Sequence, residues 1–262
     1  MTLVEILVVI SIIAVLAGLI LPALSSAKVK AKIMQAKKDM NDFEGAITAY
    51  RSDYSRMPVS SNAQNASNGT GGTPSMKDFA YGSANVVDYS AATIANGYTG
   101  ASAYETNNSE MILILTASTR FPNNTGNPVN ANHIKNPKKQ IYLNAKQATG
   151  TQWGIGNDGV FRDPWQNPYI VTLDLNYDNF VAPIVYRTVA VGQKAGTEGL
   201  VGLLHRDPVN TPTGNTDEFG LRKSVAIWSL GPDGKYGPAI KANQAGVLSG
   251  QKVSNDDNVL NW

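Results

Sequence analysis

The 262-residue chain contains no cysteine, two histidines and few charged residues, and each shortage excludes a class of protein. Without cysteine there is no disulfide framework and no Cys-ligated zinc, so extracellular stability must come from packing or from an oxygen-ligated metal ion. Charged residues make up 16% of the chain and the net charge is +2, so we expect no nucleic-acid partner. The 42% hydrophobic content supports a folded core.

The two histidines are His133 and His205, and no catalytic motif accompanies either one. Both lie among turn-forming residues and are predicted to be surface side chains. The sequence GIGNDG at residues 154–159 matches a dinucleotide-binding pattern, but Pro164 and Pro168 follow where that site needs a helix. We therefore predict that the chain is not an enzyme.

The first 24 residues, by contrast, are apolar enough and long enough to cross a bilayer as a helix. Between Ile6 and Leu21 only Ser11 and Gly18 interrupt the aliphatic residues. The run does not resemble a secretory signal peptide, because no basic residue precedes it. It is therefore predicted to span a membrane.

Glu5 is an ionisable side chain at the edge of this apolar run. Burying an ionised carboxylate in a membrane costs at least about 2.5–3.5 kcal/mol, so such a residue is treated as functional and needs a counter-charge. The alternative is a glutamate near a helix end that reaches the lipid headgroups.

A basic cluster follows the apolar run. By the positive-inside tendency it would hold the rest of the chain in the cytoplasm, unless basic residues once preceded Met1. We therefore expect an N-terminus trimmed from a longer precursor. The cluster consists of Lys28, Lys30, Lys32, Lys37 and Lys38.

The helix is predicted to continue past the apolar run, because apolar residues recur at spacings of three and four. We predict one helix over residues 1–56, with residues 1–24 apolar all round and residues 25–56 packing one face on the protein's own head. A bend or local unwinding is expected between Ala14 and Pro22. The apolar stripe consists of Val29, Ile33, Ala36, Met40, Phe43, Ile47, Tyr50 and Tyr54.

Residues 57–262 are predicted to form the globular head. Residues 59–109 are rich in Ser, Asn, Gly and Thr, which predicts a long surface loop with little core of its own. The sequence SEMILILTAS after it is predicted to be buried, as a helix or a strand. Possible glycosylation sites are the Asn-X-Ser/Thr residues Asn65, Asn68, Asn107 and Asn123.

The region 160–262 is predicted to carry the sheet. Three segments rich in β-branched and aromatic residues are separated by Asn, Asp, Gly and Pro. The segments are NPYIVTLDLNY, FVAPIVYRTVAV and KSVAIWSL. The predicted fold class is therefore α+β, with the amphipathic half of the long helix packed on a small antiparallel sheet.

The first of these segments ends in DLNYD, where Asp174, Asn176 and Asp178 match the start of an EF-hand calcium loop. The sixth-position glycine and the closing glutamate of that loop are missing, so we predict no calcium site there.

The opening residues resemble the mature N-terminus of type IV pilins and type II secretion pseudopilins, with Met1 where most members have a methylated Phe. The resemblance implies a basic leader removed by a prepilin peptidase, N-methylation, and a lollipop fold whose apolar helices form a filament core. It also implies that Glu5 pairs with the N-terminal amine of a neighbouring subunit. The residues that carry the resemblance are Thr2, Leu3, Glu5, Gly18 and Pro22, and the implied assembly residues are Met1, Glu5, Gly18 and Pro22.

Two later stretches resemble the major pseudopilin, namely RDPWQNPY at residues 162–169 and SLGPDG followed by NDD. In that family the second stretch holds a calcium ion. Residues 236–253 are an insertion relative to the family, and ordinary Asp-Gly turns are the alternative. The implied Ca²⁺ ligands are the carboxylates of Asp233 and Asp256, the carbonyls of Leu230, Lys235 and Ser254, and Asp257 as a neighbour or alternate.

The function implied by the resemblance is that of a structural subunit, a homo-oligomer in a type IV pilus-like or pseudopilus filament. The unassembled subunit would lie in the bacterial inner membrane, and the filament in the periplasm or at the cell surface. An assembly ATPase and a membrane platform protein are the implied partners. The alternative is a membrane-anchored adhesive or sugar-binding protein that forms no filament.

Overall fold

The chain folds as α+β, and its described residues form one very long N-terminal helix, three short helices and antiparallel sheets. The computed structural model describes residues 2–68, 78–82, 108–120, 129–210, 218–237, 240–248 and 250–262. The helices are α1 (Leu3–Tyr54), α2 (Ser61–Asn68), α3 (Ser109–Leu115) and α4 (Val189–Gly192). A 3₁₀ turn spans Ala131–His133.

Within the described ranges the strands form two four-stranded sheets and two hairpins, and the strand pairs there are antiparallel. The central sheet has the order β1-β4-β9-β12, and the second sheet has the order β5-β6-β7-β8. The strands are β1 (Phe79–Tyr81), β2 (Gly154–Ile155), β3 (Phe161–Arg162), β4 (Ile170–Leu173), β5 (Gln193–Ala195), β6 (Glu198–Gly199), β7 (Leu204–His205), β8 (Phe219–Gly220), β9 (Val225–Ser229), β10 (Ala245–Leu248), β11 (Gln251–Ser254) and β12 (Val259–Leu260).

Helix α1 runs unbroken past Gly18 and Pro22, so the expected local unwinding is not observed. A proline removes one backbone donor from a helix, and the hydrogen bonds before and after that position keep the helical form here. The helix ends at Ser55, which adopts a left-handed conformation with φ 52° and donates its N–H to the Arg51 carbonyl. This is an αL-type helix end.

The second half of α1 packs on the head, as the apolar stripe predicts. The stripe residues from Ala36 to Tyr50 are fully buried, whereas Val29 is 40% exposed. The ring of Phe43 meets that of Phe161 edge to face, with centroids 5.7 Å apart. Contacts with β9 and β12 dock this half of the helix on the central sheet.

The central sheet separates two hydrophobic clusters, and β9 shows the division. Val225 and Ile227 face the cluster that includes α1, while Ala226 and Trp228 belong to the cluster on the opposite face. Both faces of this strand are therefore buried, with α1 on one side and the segments around the second sheet on the other. The expectation of a small antiparallel sheet under the amphipathic half of the helix is confirmed.

Three local predictions have a definite outcome. The SEMILIL residues form helix α3 and are buried. The segment FVAPIVYRTVAV was predicted to be a strand and is instead a turn followed by α4, because Pro183 lacks an N–H and Val185 adopts φ 74°. The predicted coreless loop 59–109 contributes β1, whose residues are fully buried at the edge of the central sheet.

Candidate functional site

The first half of α1 presents a continuous apolar surface that no described part of the chain covers. The large aliphatic side chains described from Leu3 to Leu24 are each 47–78% exposed. This helix is long and apolar enough to cross a membrane. Soluble monomers rarely expose apolar patches of more than a few hundred Å², and an exposed surface of this kind is typical of a segment that contacts lipid or another protein.

Glu5 lies in the first turn of this apolar half and completes a capping box with Thr2. The Thr2 N–H donates to Glu5 Oε2 at 2.6 Å, and the Glu5 N–H donates to the Thr2 hydroxyl at 3.3 Å. This cap was not predicted from the sequence, although the Thr-X-X-Glu pattern at residues 2–5 is the signal for it. Glu5 is exposed on the single chain, and Met1 lies outside the described residues.

The two interruptions of the apolar run, Ser11 and Gly18, cause no steric conflict and leave no unpaired hydroxyl donor on the single chain. The Ser11 hydroxyl donates a hydrogen bond to the Val8 carbonyl at 2.8 Å. Its donor is therefore already paired within the helix when an apolar neighbour packs against it. Gly18 faces open space, where an added Cβ would meet nothing within 4 Å. Both features suit close contact with lipid or with another helix.

The second candidate region is the loop between β9 and β12, centred on Asp233. The two carboxylate oxygens of Asp233 accept the main-chain N–H groups of Lys235 at 2.8 Å and of Ser254 at 3.0 Å. Gly231 adopts φ 66°, and a Cβ there would lie 2.2 Å from the Asp257 carbonyl oxygen. The two stretches predicted to share a metal ion are therefore adjacent in the fold.

The loop contains two buried oxygen atoms that have no hydrogen-bond partner among the described residues, Asp257 Oδ1 and Asn258 Oδ1. Burial, together with the negative charge of Asp233, raises the pKa of Asp257 to about 6. Asp256, in contrast, is exposed. The structure thus places Asp257, named in the sequence as the alternate ligand, next to Asp233.

Unsatisfied carboxylate and amide oxygens beside a second carboxylate fit the hard, oxygen-rich ligation that Ca²⁺ prefers. Over the described ranges, however, no group of three or more His, Cys, Asp or Glu side chains is arranged to hold a metal ion. Any ion in this loop would therefore depend on main-chain and amide oxygens as well. Leu230 is buried at the end of β9, and Lys235 and Ser254 are partly buried.

Asn255 was not singled out in the sequence, yet it closes the base of the insertion 236–253. Its side-chain oxygen accepts the Gly237 N–H at 2.9 Å, and its side-chain nitrogen donates to the carbonyls of Gly237 and Ile240. Most of the rest of the insertion forms the β10–β11 hairpin. The first part of the insertion also packs on the head, because Ala242 is buried and its N–H donates to the Val191 carbonyl at 3.0 Å.

The RDPWQNPY stretch is hydrogen-bonded to the residues at the start of the Asp233 loop. Buried Asp163 accepts the N–H groups of Trp165 at 2.8 Å and Asn167 at 2.9 Å, and it also accepts the Ser229 hydroxyl. The Asn167 side chain donates to the Gly231 carbonyl at 3.3 Å. The two stretches that resemble the major pseudopilin are thus joined by hydrogen bonds.

Asp163 gives a pH prediction with a definite sign. Burial raises its pKa from 3.8 to about 6, although the Ser229 hydrogen bond opposes the rise. A carboxyl with a raised folded-state pKa stabilises the fold most below its unfolded pKa and loses that contribution as the pH rises through its folded pKa. Asp163→Asn has no carboxyl at this position and therefore lacks this pH-dependent loss. Between about pH 4 and pH 7 its free energy of unfolding, relative to that of the wild type, should rise by up to about 3 kcal/mol. Urea unfolding at several pH values measures this difference, and a constant difference across the range would contradict it.

The predicted glycosylation sites are only partly described. Asn65 is exposed on α2, and Asn68 is the last residue of that helix. Asn107 and Asn123 lie outside the described residues.

The structure also shows the environment of His205 and the conformation of the GIGNDG residues. The His205 side chain is 6% exposed and its Nε2 lies 3.3 Å from the Glu218 carboxylate, so the prediction of a surface histidine is wrong. The GIGNDG residues form β2 and the turn into β3, and no helix follows them. Their geometry is that of a hairpin.

Two regions thus have features that folding alone does not require, the exposed apolar half of α1 and the oxygen-rich loop around Asp233. No protein-family model, curated protein or solved structure matches the chain. The function must therefore follow from the chemistry of these two regions.

Proposed function

We propose that the chain is a structural subunit that polymerises through α1 into a type IV pilus-like or type II secretion pseudopilus filament. The observation that carries the proposal is the division of α1 into an apolar half exposed on all sides and a half docked on the head. This division corresponds to the lollipop arrangement that the N-terminal resemblance implies. The proposed site of the unassembled subunit is the bacterial inner membrane, and that of the filament is the periplasm or the cell surface.

A bundle of identical helices suits this surface because lipid and neighbouring helices are similarly apolar. Association of such helices then depends on close packing and on buried polar pairs rather than on hydrophobic burial alone. Glu5 supplies the charge for such a pair, with the amine of Met1 in a neighbouring subunit as its proposed partner. A buried pair of this kind acts mainly as a register device, because it is unfavourable when either partner is missing.

We also propose that the Asp233 loop holds Ca²⁺. The proposed ligands are oxygens of Asp233, Asp257 and Asn258, together with main-chain carbonyls of the adjacent turns. The bound ion would supply positive charge where two carboxylates approach each other, and it would fasten a loop that no disulfide can fasten. The hydrogen bonds from the Ser254 N–H to Asp233 and from the Asn255 side chain to the Gly237 carbonyl hold the two halves of this loop together without the ion.

Electron microscopy of material sheared from cells that carry the assembly machinery tests the filament proposal. We expect fibres that react with an antibody against the head. The competing function is a single protein tethered in the membrane, which would be detected at the cell surface or in membranes without sheared fibres. Absence of fibres from cells that assemble a known pilin in parallel would overturn the proposal.

A further inference from the structure

The loop after β4, residues 174–180, folds around its own carboxylates. Asp174 accepts the N–H groups of Asp178 at 3.2 Å and Asn179 at 3.0 Å, one on each carboxylate oxygen. Asp178 accepts the Phe180 N–H at 2.9 Å. The side chains at the first, third and fifth positions of this loop, Asp174, Asn176 and Asp178, are of the types that an EF-hand loop uses there.

The absence of glycine from the sixth position of the loop does not exclude a cation there. The sixth position of an EF-hand loop is glycine because the chain turns sharply there. Here the sixth residue is Asn179, which adopts φ 60° in the left-handed region. Asparagine tolerates that conformation better than most other non-glycine residues, so it replaces the glycine.

Asp78, a residue distant in the sequence, supplies the feature that points to a ligand. It directly precedes β1, and the antiparallel register pairs Phe79 with Leu173, so Asp78 lies across from Asp174. Asp78 is fully buried, and its Oδ2 accepts the Ala182 N–H at 2.6 Å. Its Oδ1 is buried without a hydrogen-bond partner among the described residues. Asp78 is therefore the nearest candidate for the carboxylate that the closing glutamate supplies in an EF-hand loop.

The charges at this loop are unbalanced. Arg206 brings one positive charge, with its Nη1 2.5 Å from Asp178 Oδ2. Asp174 and Asp178 beside one guanidinium leave an excess of negative charge that a divalent cation would neutralise, and Asp78 adds a third carboxyl group.

We propose that Asp78, Asp174, Asn176 and Asp178 form a second Ca²⁺ site, with the main-chain carbonyl of Phe180 as a further ligand. Carboxylate, amide and carbonyl oxygens favour Ca²⁺ over softer metals. In the part of the chain that the structure describes, no three carboxylates are already arranged around one point. Binding therefore requires a shift of Asp78 toward the loop or release of Asp178 from Arg206. The bound ion would tie the edge strand β1 to β4.

Calorimetric titration of the full chain in detergent with Ca²⁺ tests this site. We expect a dissociation constant of about 10⁻⁴–10⁻³ M, as in extracellular calcium modules. Asp174→Asn, Asp178→Asn and Asp78→Asn should each weaken binding at this site by on the order of tenfold or more. Asp42→Asn, an exposed carboxylate paired with Lys38 on α1, is the matched control and should leave binding unchanged.

A second measurement locates the ion and does not depend on losing a ligand. Terbium substitutes for Ca²⁺, and its luminescence is sensitised by a nearby tyrosine ring. Tyr177 lies inside the loop with its side chain 42% exposed, so Tyr177→Phe should remove most of the sensitised luminescence while Ca²⁺ binding stays at the wild-type level. Unchanged luminescence in Tyr177→Phe would contradict the assignment.

The variant Asp233→Asn separates this site from the one proposed in the C-terminal loop. If Asp233→Asn removes all Ca²⁺ binding while Asp174→Asn removes none, the second site is disproved and the first retained. If Asp174→Asn removes a binding event that Asp233→Asn keeps, the second site is supported. No binding to the wild-type chain at concentrations well above 10⁻³ M, taken as the weak end of about 10⁻⁴–10⁻³ M for such modules, would overturn both.

Discussion

Replacement of Glu5 by glutamine is expected to abolish filaments while the protein remains in the membrane. Glutamine can keep the capping hydrogen bond to the Thr2 N–H, which the Glu5 carboxylate accepts at 2.6 Å. It cannot supply the negative charge for a neighbouring amine. Breaking a buried ion pair by removing one partner costs about 3–5 kcal/mol, which corresponds to a loss of roughly a hundredfold or more in association at each contact.

Two further variants separate the cap from the charge. Thr2→Ala removes the hydroxyl that accepts the Glu5 N–H but keeps the carboxylate, so fibres should persist. Glu5→Ala removes both functions and should match Glu5→Gln. Fibres are counted by electron microscopy of sheared material, with immunoblots of membranes to show that each variant is present at wild-type levels. Normal fibres from Glu5→Gln together with none from Thr2→Ala would show that the cap, rather than a charge pair, is what assembly needs.

The long helix and the centre of the sheet could be predicted from the sequence because their signals are local and repeated. The apolar stripe of α1 follows the helical period over several turns, and every stripe residue from Ala36 to Tyr50 is buried. Strand β9 is a continuous apolar segment, which is typical of a strand buried on both faces. In both cases the burial pattern of the fold is visible in consecutive residues.

Elements whose conformation depends on tertiary contacts could not be predicted from local sequence patterns. Strand β1 has three residues inside a polar, Gly-rich region, and it is a strand because it pairs with β4. The apolar segment that ends in α4 has strand-like composition, but Pro183 and the left-handed Val185 prevent regular pairing. Short elements of this kind take their conformation from their neighbours, so composition alone misassigns them.

The same limit applies to the candidate metal sites. The sequence motifs predicted that Asp233 and the NDD stretch lie close together. They did not show that Asp257 lies beside the turn at Gly231 while Asp256 is exposed to solvent. At the DLNYD loop, the sequence contains the first three ligand positions, whereas Asp78 reaches the loop through strand register. A ligand that strand pairing places beside the loop cannot be predicted from the spacing of residues along the sequence.

Phe43→Ala is expected to destabilise the head by about 3–5 kcal/mol, a large part of the 5–15 kcal/mol that typically stabilises a domain. Phe43 is fully buried between α1 and the head, and its ring packs edge to face on Phe161. Truncation leaves a cavity that rigid neighbours on the sheet fill only in part. Urea unfolding of the full chain in detergent can be followed by tryptophan fluorescence, because all four tryptophans lie in the head, at positions 153, 165, 228 and 262.

Met34→Ala is the matched control, since Met34 lies on the same helix and is 72% exposed. It should change the free energy of unfolding by no more than about 0.5 kcal/mol. A large difference between the two variants would show that α1 belongs to the core of the head from about Ile33 onward and is free of it before that point. A helix that is continuous with the core of the head would connect the apolar half rigidly to that head, which suits the proposed filament role. A small effect of Phe43→Ala would instead mean that the head folds without the helix, and the division of α1 would lose its structural basis.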